Sequence, residues 1–257
     1  MESTEVSPLS EATHRVAGRT HAADERTFTT WSRAHAVVML AGFAGAVLAG
    51  GAWPLSLVAL LSSAELVRRG WGGFTPDGVF GWANRVTAVR FALALLLGAF
   101  GPATPGWMLA ATLGLAAALD VADGFIARRY GLSSAFGAAF DIETDALLTL
   151  IAEAQLWQRG RAGAWILVPG LLRYAYVLAL AIVPATAGHV RSSRFGRCAF
   201  VALLVGLIAA LLSGGGAATV LAAIGTAAVT FSFARSFRWS YRSYPGARPK
   251  TSSWWVM

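Results

Sequence analysis

Charge is scarce in this sequence. Of its 257 residues only 13% are Asp, Glu, Lys or Arg, and 56% are hydrophobic. A soluble domain carries about 25% charged residues, so the composition excludes one and predicts an integral membrane protein. Lysine is nearly absent: Lys250 is the only one, and the net charge of +8 is carried by arginine. One cysteine, Cys198, excludes a disulfide within the chain and reads as a buried, small apolar residue. The pattern of a cleavable leader is missing as well. Residues 1–34 are polar and mixed in charge, with no basic start followed by an apolar run and a small-residue cleavage site. They read as a flexible cytoplasmic tail. No repeat of 20–50 residues stands out.

Long apolar runs fill the rest of the chain. A spanning helix needs about 20 mostly apolar residues. Six runs qualify, at 86–101, 106–128, 135–157, 163–185, 196–213 and 216–236. Ahead of them, "AHAVVMLAGFAGAVLAGGAWPLSLVALLSSAELVRRG" is too long for one span and is broken by Gly50-Gly51 and Trp53-Pro54. It reads as two short spans, 35–50 and 54–67, or as a re-entrant hairpin. The organisation is then a tail (1–34), an extra apolar hairpin or pair of spans (35–70), a six-helix membrane domain (80–240) and a basic, aromatic tail (241–257).

Arginine is distributed by side. With the N-terminus in the cytoplasm, the inner segments hold Arg15, Arg19, Arg26 and Arg33, then Arg68, Arg69 and Arg85, then Arg128 and Arg129. Arg191, Arg194 and Arg197 follow, and finally Arg235, Arg238, Arg242, Arg248 and Lys250. The outer turns "GGAW", "GPATPG" and "SGGG" hold no charge, and only Arg159 and Arg161 in "QRGRAG" break the pattern. This positive-inside bias puts both termini in the cytoplasm. Arginines lying between apolar segments fit lipid headgroups rather than nucleic acid. The Ala/Gly/Arg-rich, Lys-poor composition points to a GC-rich bacterial genome, and so to a bacterial cytoplasmic membrane. In the tail, Arg235, Arg238 and Arg242 share a helical face among Trp and Tyr residues, a pattern that suits interfacial anchoring.

Acidic residues are the exception to the scarcity. "DVADGFIARRYGLSSAFGAAFDIETD" holds Asp120, Asp123, Asp141, Glu143 and Asp145. Carboxylates within membrane segments are costly and mark function. Asp120 and Asp123 are three apart at the inner end of one helix, and Asp141 and Asp145 are four apart at the start of the next. Each pair shares a helical face, and the short loop between makes the helices antiparallel neighbours, so the pairs can face each other. Converging carboxylates repel, and hard divalent ions, Mg²⁺ or Mn²⁺, relieve that. Two such ions about 3.5–4 Å apart would clamp an in-line phosphoryl displacement. Gly124 and Gly137 leave room beside these carboxylates for a phosphate or a base, though small residues also serve helix packing. Arg128 can pair with a phosphate or an aspartate. A structural ion-pair network and a cation channel are the other readings of such a cluster. A channel would spread its acids through the membrane depth.

The stretch resembles the signature of the CDP-alcohol phosphotransferases, D-x2-D-G-x2-A-R-x8-G-x3-D-x3-D, here Asp120, Asp123-Gly124, Ala127-Arg128, Gly137, Asp141 and Asp145. The resemblance covers roughly 80–240 and implies a six-helix core. It also implies a reaction in which a CDP-linked donor, often CDP-diacylglycerol, is attacked by an alcohol and CMP leaves. Asp120, Asp123 and Asp141 would then be metal ligands, and Asp145 a ligand, the general base or both. Gly124, Ala127, Arg128 and Gly137 would lie against the CDP moiety. "ANRVTAVRFALA" is similar to the family's first core helix, which would place Asn84, Thr87 and Arg90 near the nucleotide or diphosphate. Family members that accept a phosphorylated alcohol carry a basic patch where Arg191, Arg194 and Arg197 stand. Arg173, inside an apolar segment, needs a partner: an aspartate, Glu153 or a substrate. The family text around the last aspartate, "PVADK" or "SLADV" in two subfamilies, is "DIETDALL" here, so the acceptor is not legible. Glu143 is expected to point away from Asp141 and Asp145, toward solvent or an acceptor amine. Many relatives are dimers, which makes a homodimer an expectation. An inactive relative would not be expected to keep all four aspartates, and the inverse pairing, CDP-choline or CDP-ethanolamine with a lipid alcohol, stays open.

Overall fold

A computed structural model describes the backbone of residues 8–75, 78–101, 103–130, 134–182 and 194–242, and the side chains of 27–75, 78–101, 103–121, 134–182 and 194–238. Among these residues every regular element is helical: α1 (Pro8–Ala49), α2 (Trp53–Arg69), α3 (Trp82–Ala99), α4 (Gly106–Tyr130), α5 (Ala135–Gln158), a 3-10 turn (Ala164–Leu167) running into α6 (Val168–Ile182), α7 (Arg194–Ser213) and α8 (Gly216–Arg242). The six runs from residue 86 onward become α3 to α8. The apolar stretch ahead of them breaks where Gly50-Gly51 and Trp53-Pro54 stand, with Pro54 in the first turn of α2, where its missing N–H costs nothing.

Among the described residues, four segments are long and apolar enough to cross a membrane by length and composition: Thr27–Ala49, Ala164–Ile182, Arg194–Ser213 and Gly216–Arg238. The charges that build the site lie on the others. Arg85 and Arg90 interrupt α3, and four acids interrupt α5. The expected tail boundary at residue 34 shifts. Helix α1 is continuous from Pro8, and Phe28, Trp31 and Ser32 are buried. Phe28 and Trp31 pack with Phe74, Phe136 and Phe140 in an aromatic cluster beside the main core. Cys198, expected to be buried, is exposed on α7.

Helix α5 is the hub, packed against α1, α2, α3, α6 and α7. It is buried along most of its length, from Phe136 through Leu156. Helices α7 and α8 form the closest pair: a Cβ on Gly206 would lie 2.6 Å from the Ala222 Cα, and one on Gly225 would lie 2.5 Å from the Leu203 Cα. Close approach through small residues is the usual route to helix packing in lipid.

The two arginines that broke the charge pattern have structural partners. Arg159 donates to the Thr104 and Gly101 carbonyls at 2.6 and 2.9 Å. Arg161 donates to the Ala210 and Leu211 carbonyls at 3.1 and 2.5 Å, in the last turn of α7. The last carbonyls of a helix have no intrahelical partner, and a cation there also offsets the negative end of the dipole. Arg161→Ala is therefore expected to cost about 2–3 kcal/mol, seen as a lower unfolding temperature in detergent, with turnover well below that temperature retained.

Candidate active site

Helices α3, α4 and α5 meet around one guanidinium. Asn84, Thr87 and Arg90 repeat every three residues on α3, and all three are buried. Arg90 is 1% exposed. A buried cation is tolerated only when paired, and three carboxylates surround this one. Its Nη2 lies 2.9 Å from Asp120 Oδ1 of α4. Its Nη1 donates to Asp141 Oδ1 of α5 at 2.5 Å, and Nη2 also donates to Asp145 Oδ1. The helical spacing expected from the sequence thus brings Asp120, Asp141 and Asp145 to one point. One oxygen from each lies within 4.8 Å of the others. Asp123, Gly124, Ala127 and Arg128 are on the following turns of α4, and their side chains lie outside the described residues.

Charge decides what this cluster can hold. Among the described residues, three carboxylates face one guanidinium, so acidic groups outnumber basic ones in a donor set made only of oxygens. That excess and that chemistry fit a hard divalent cation. The aspartates are about a third exposed, between 29% and 43%, so they face an opening rather than a sealed core. A small recess beside them is lined by Arg90, Asp120 and Asp145 together with apolar residues of α4, α5 and α7, among them Leu113, Leu148, Phe200 and Leu204.

A family profile described as CDP-alcohol phosphatidyltransferase matches residues 80–233. The chain belongs to the CDP-alcohol phosphatidyltransferase family. Comparison with curated proteins and with solved structures gave no match. Membership makes the chain a transferase that moves a phospho-alcohol group from a CDP-alcohol, in a family that generally uses divalent metals. The match takes in α3 to α7 and most of α8. It leaves α1 and α2 outside.

Just ahead of the matched residues, the loop before α3 holds the site helices in register. The Phe74 carbonyl accepts from Asn84 Nδ2 of α3 at 2.9 Å and from Ser134 Oγ at 2.7 Å. Ser134 in turn caps α5, accepting from the Gly137 N–H at 2.9 Å. Gly137 is where the two helices touch: a Cβ there would lie 2.8 Å from Asn84 Oδ1. Gly137→Ala is expected to displace Asn84 and lower turnover about tenfold, measurable as CMP release at saturating metal. Thr87 donates to the Ala83 carbonyl at 3.2 Å.

Two acceptor-side expectations change. Glu143 does not face solvent; it is 5% exposed, and its Oε1 accepts from Arg173 Nη2 at 2.6 Å and from Ser32 Oγ at 3.1 Å. Arg173 therefore finds its counter-ion in Glu143, not in Glu153, whose Oε2 accepts from the Gly170 N–H at 3.0 Å. The reason is geometric: residues two apart on a helix lie on nearly opposite faces, so Glu143 turns from the aspartates into the α1–α6 side. Arg194 and Arg197 are exposed at the start of α7, and Arg191 lies outside the described residues. Ser32 and His35 were not legible as site neighbours. Their only signal is a shared helical face at the edge of the first apolar run.

Proposed function

We propose that the protein transfers a phosphatidyl group from CDP-diacylglycerol to the hydroxyl of a small alcohol, releasing CMP, at the inner face of a bacterial cytoplasmic membrane. The convergence of Asp120, Asp141 and Asp145 on Arg90, inside the family-matched core, carries this reading. Asp120, Asp123, Asp141 and Asp145 would hold two divalent ions, Mg²⁺ or Mn²⁺. Bound there, the ions would neutralise charge on the diphosphate and on the departing CMP.

The acceptor oxygen bonds to the phosphorus that carries the diacylglycerol, and the bond from that phosphorus to the bridging oxygen breaks. The bridging oxygen leaves with CMP. The acceptor's proton passes to an Asp145 carboxylate oxygen, within reach of a hydroxyl entering the recess. Arg90 keeps the carboxylates oriented and their mutual repulsion low. Gly124, Ala127, Arg128 and Gly137 would lie against the nucleotide. The partly exposed Phe200 and Leu204 of α7, beside the recess, would meet the glycerolipid body. Arg197 stands one turn before Phe200 on α7, so Arg191, Arg194 and Arg197 could receive an acceptor phosphate. Arg173 is left out of the acceptor site because Glu143 occupies it.

The test is product identification. The purified protein with Mg²⁺ and labelled CDP-diacylglycerol is offered glycerol 3-phosphate, inositol, inositol phosphate, serine or a phospholipid alcohol. A labelled phospholipid with one acceptor, and matching CMP, supports the reading. A product only from CDP-choline or CDP-ethanolamine with diacylglycerol would replace it with the inverse pairing.

A further inference from the structure

Helices α1 and α2 are not part of the family-matched residues, yet α1 reaches the helix that carries Asp141 and Asp145. Ser32 of α1 donates to Glu143 Oε1 at 3.1 Å. His35, one turn on, puts Nε2 3.6 Å from Glu143 Oε2. His35 is held in turn: its Nδ1 is 2.7 Å from Ser62 Oγ of α2, and its ring stacks on Trp31 at 4.7 Å. Trp31 donates from Nε1 to the Ser62 carbonyl at 3.0 Å. Arg173 of α6 completes the set around Glu143. Ser32, His35 and Glu143 are all more than nine-tenths buried.

We propose that the α1–α2 hairpin is a built-in positioning element: through Glu143, the Ser32 hydrogen bond, backed by the buried His35 ring, fixes the rotation of α5 that aims Asp141 and Asp145 at Arg90. Glu143 sits two residues from each aspartate, on the opposite side of α5. Helix α5 is thus held by directional hydrogen bonds on two faces, from Arg90 on one and from Ser32 and Arg173 on the other, with the buried His35 ring beside Glu143. Apolar packing alone tolerates small rotations of a helix. A buried carboxylate with fixed donors does not, because leaving them strands its charge. The hairpin would then set the geometry of the ligand oxygens without touching substrate, making Glu143 a positioning residue. This rests on the reading of the aspartates as metal ligands.

Mn²⁺ titration of the full-length protein in detergent, followed by the electron paramagnetic resonance signal of free Mn²⁺, tests it without turnover. Glu143→Leu is expected to weaken Mn²⁺ binding about tenfold or more, the scale seen when partners of metal ligands are lost. Glu143→Gln, which keeps an acceptor for Ser32 and Arg173, is expected to restore most of that affinity. Ser32→Ala, a milder change that keeps the fold if Glu143→Leu does not, is expected to weaken binding measurably, by less than Glu143→Leu. Lower unfolding temperatures with Mn²⁺ affinity unchanged in Ser32→Ala and in Glu143→Leu would overturn the proposal and leave the contacts purely structural. A wild-type protein that binds no Mn²⁺ would instead overturn the metal reading itself.

Discussion

Asp145→Asn is expected to lower CMP release by about 10³-fold, within the range general-base loss produces, while the protein still purifies as a folded species. The amide has nearly the shape of the carboxylate, so packing around α5 is preserved. Two things are removed together: an oxygen able to take the acceptor's proton, and one negative charge from the three that face Arg90. Asp120→Asn removes charge alone, on the proposed roles. Its loss is expected to be partly recovered at high Mg²⁺, and that of Asp145→Asn is not. Rates measured across a Mg²⁺ series separate the two. Equal recovery in both variants would remove Asp145 from the base role and leave it a ligand only.

Arg90→Ala is expected to have the second large effect, and its size depends on the metal. Without divalent ions, three carboxylates from two helices are left facing one another across the space of a guanidinium. Removing one partner of a buried ion pair costs about 3–5 kcal/mol, and the partial exposure of the aspartates puts this case at the low end. With Mg²⁺ present, the cation takes over part of the compensation. The unfolding temperature of Arg90→Ala should therefore rise more on adding Mg²⁺ than that of the wild type. Arg90→Lys keeps the charge but loses the planar fork that bridges Asp120, Asp141 and Asp145. It is expected to recover stability better than turnover. Thermal unfolding of the three proteins with and without Mg²⁺ checks all of this, and identical metal shifts would contradict it.

Much of this was legible in the sequence, because the information is local. Hydropathy and Gly-Pro breaks mark the helices, and the i, i+3 and i, i+4 spacings of Asp120, Asp123, Asp141 and Asp145 make two acidic faces joined by a short loop. What could not be read is which residue of another helix answers each charge. Arg90 lies 30 residues before Asp120 in the chain, and only the packing of α3 between α4 and α5 makes it their common counter-ion. Glu143 illustrates the same limit from the other side. Its turn away from Asp141 and Asp145 follows from periodicity, but whether that face meets water or protein depends on α1 and α6. The tail boundary moved for a related reason. Thr27 to Arg33 is polar enough to read as surface, yet Phe28 and Trp31 have an aromatic cluster to enter. The arginines of "QRGRAG", which depart from the expected charge pattern, donate to carbonyls of neighbouring turns, and spacing along one chain segment does not reveal such partners.

The central claim is that the carboxylates around Arg90 work through bound divalent cations in transfer from a CDP-linked lipid. The most direct measurement is CMP release from CDP-diacylglycerol, with the acceptor that supports turnover, before chelation, after removal of divalent ions, and after Mg²⁺ is restored. The account predicts turnover that vanishes on chelation and returns with Mg²⁺ in the wild type, and that does not return in Asp145→Asn. Turnover that persists undiminished after divalent ions are removed would contradict it.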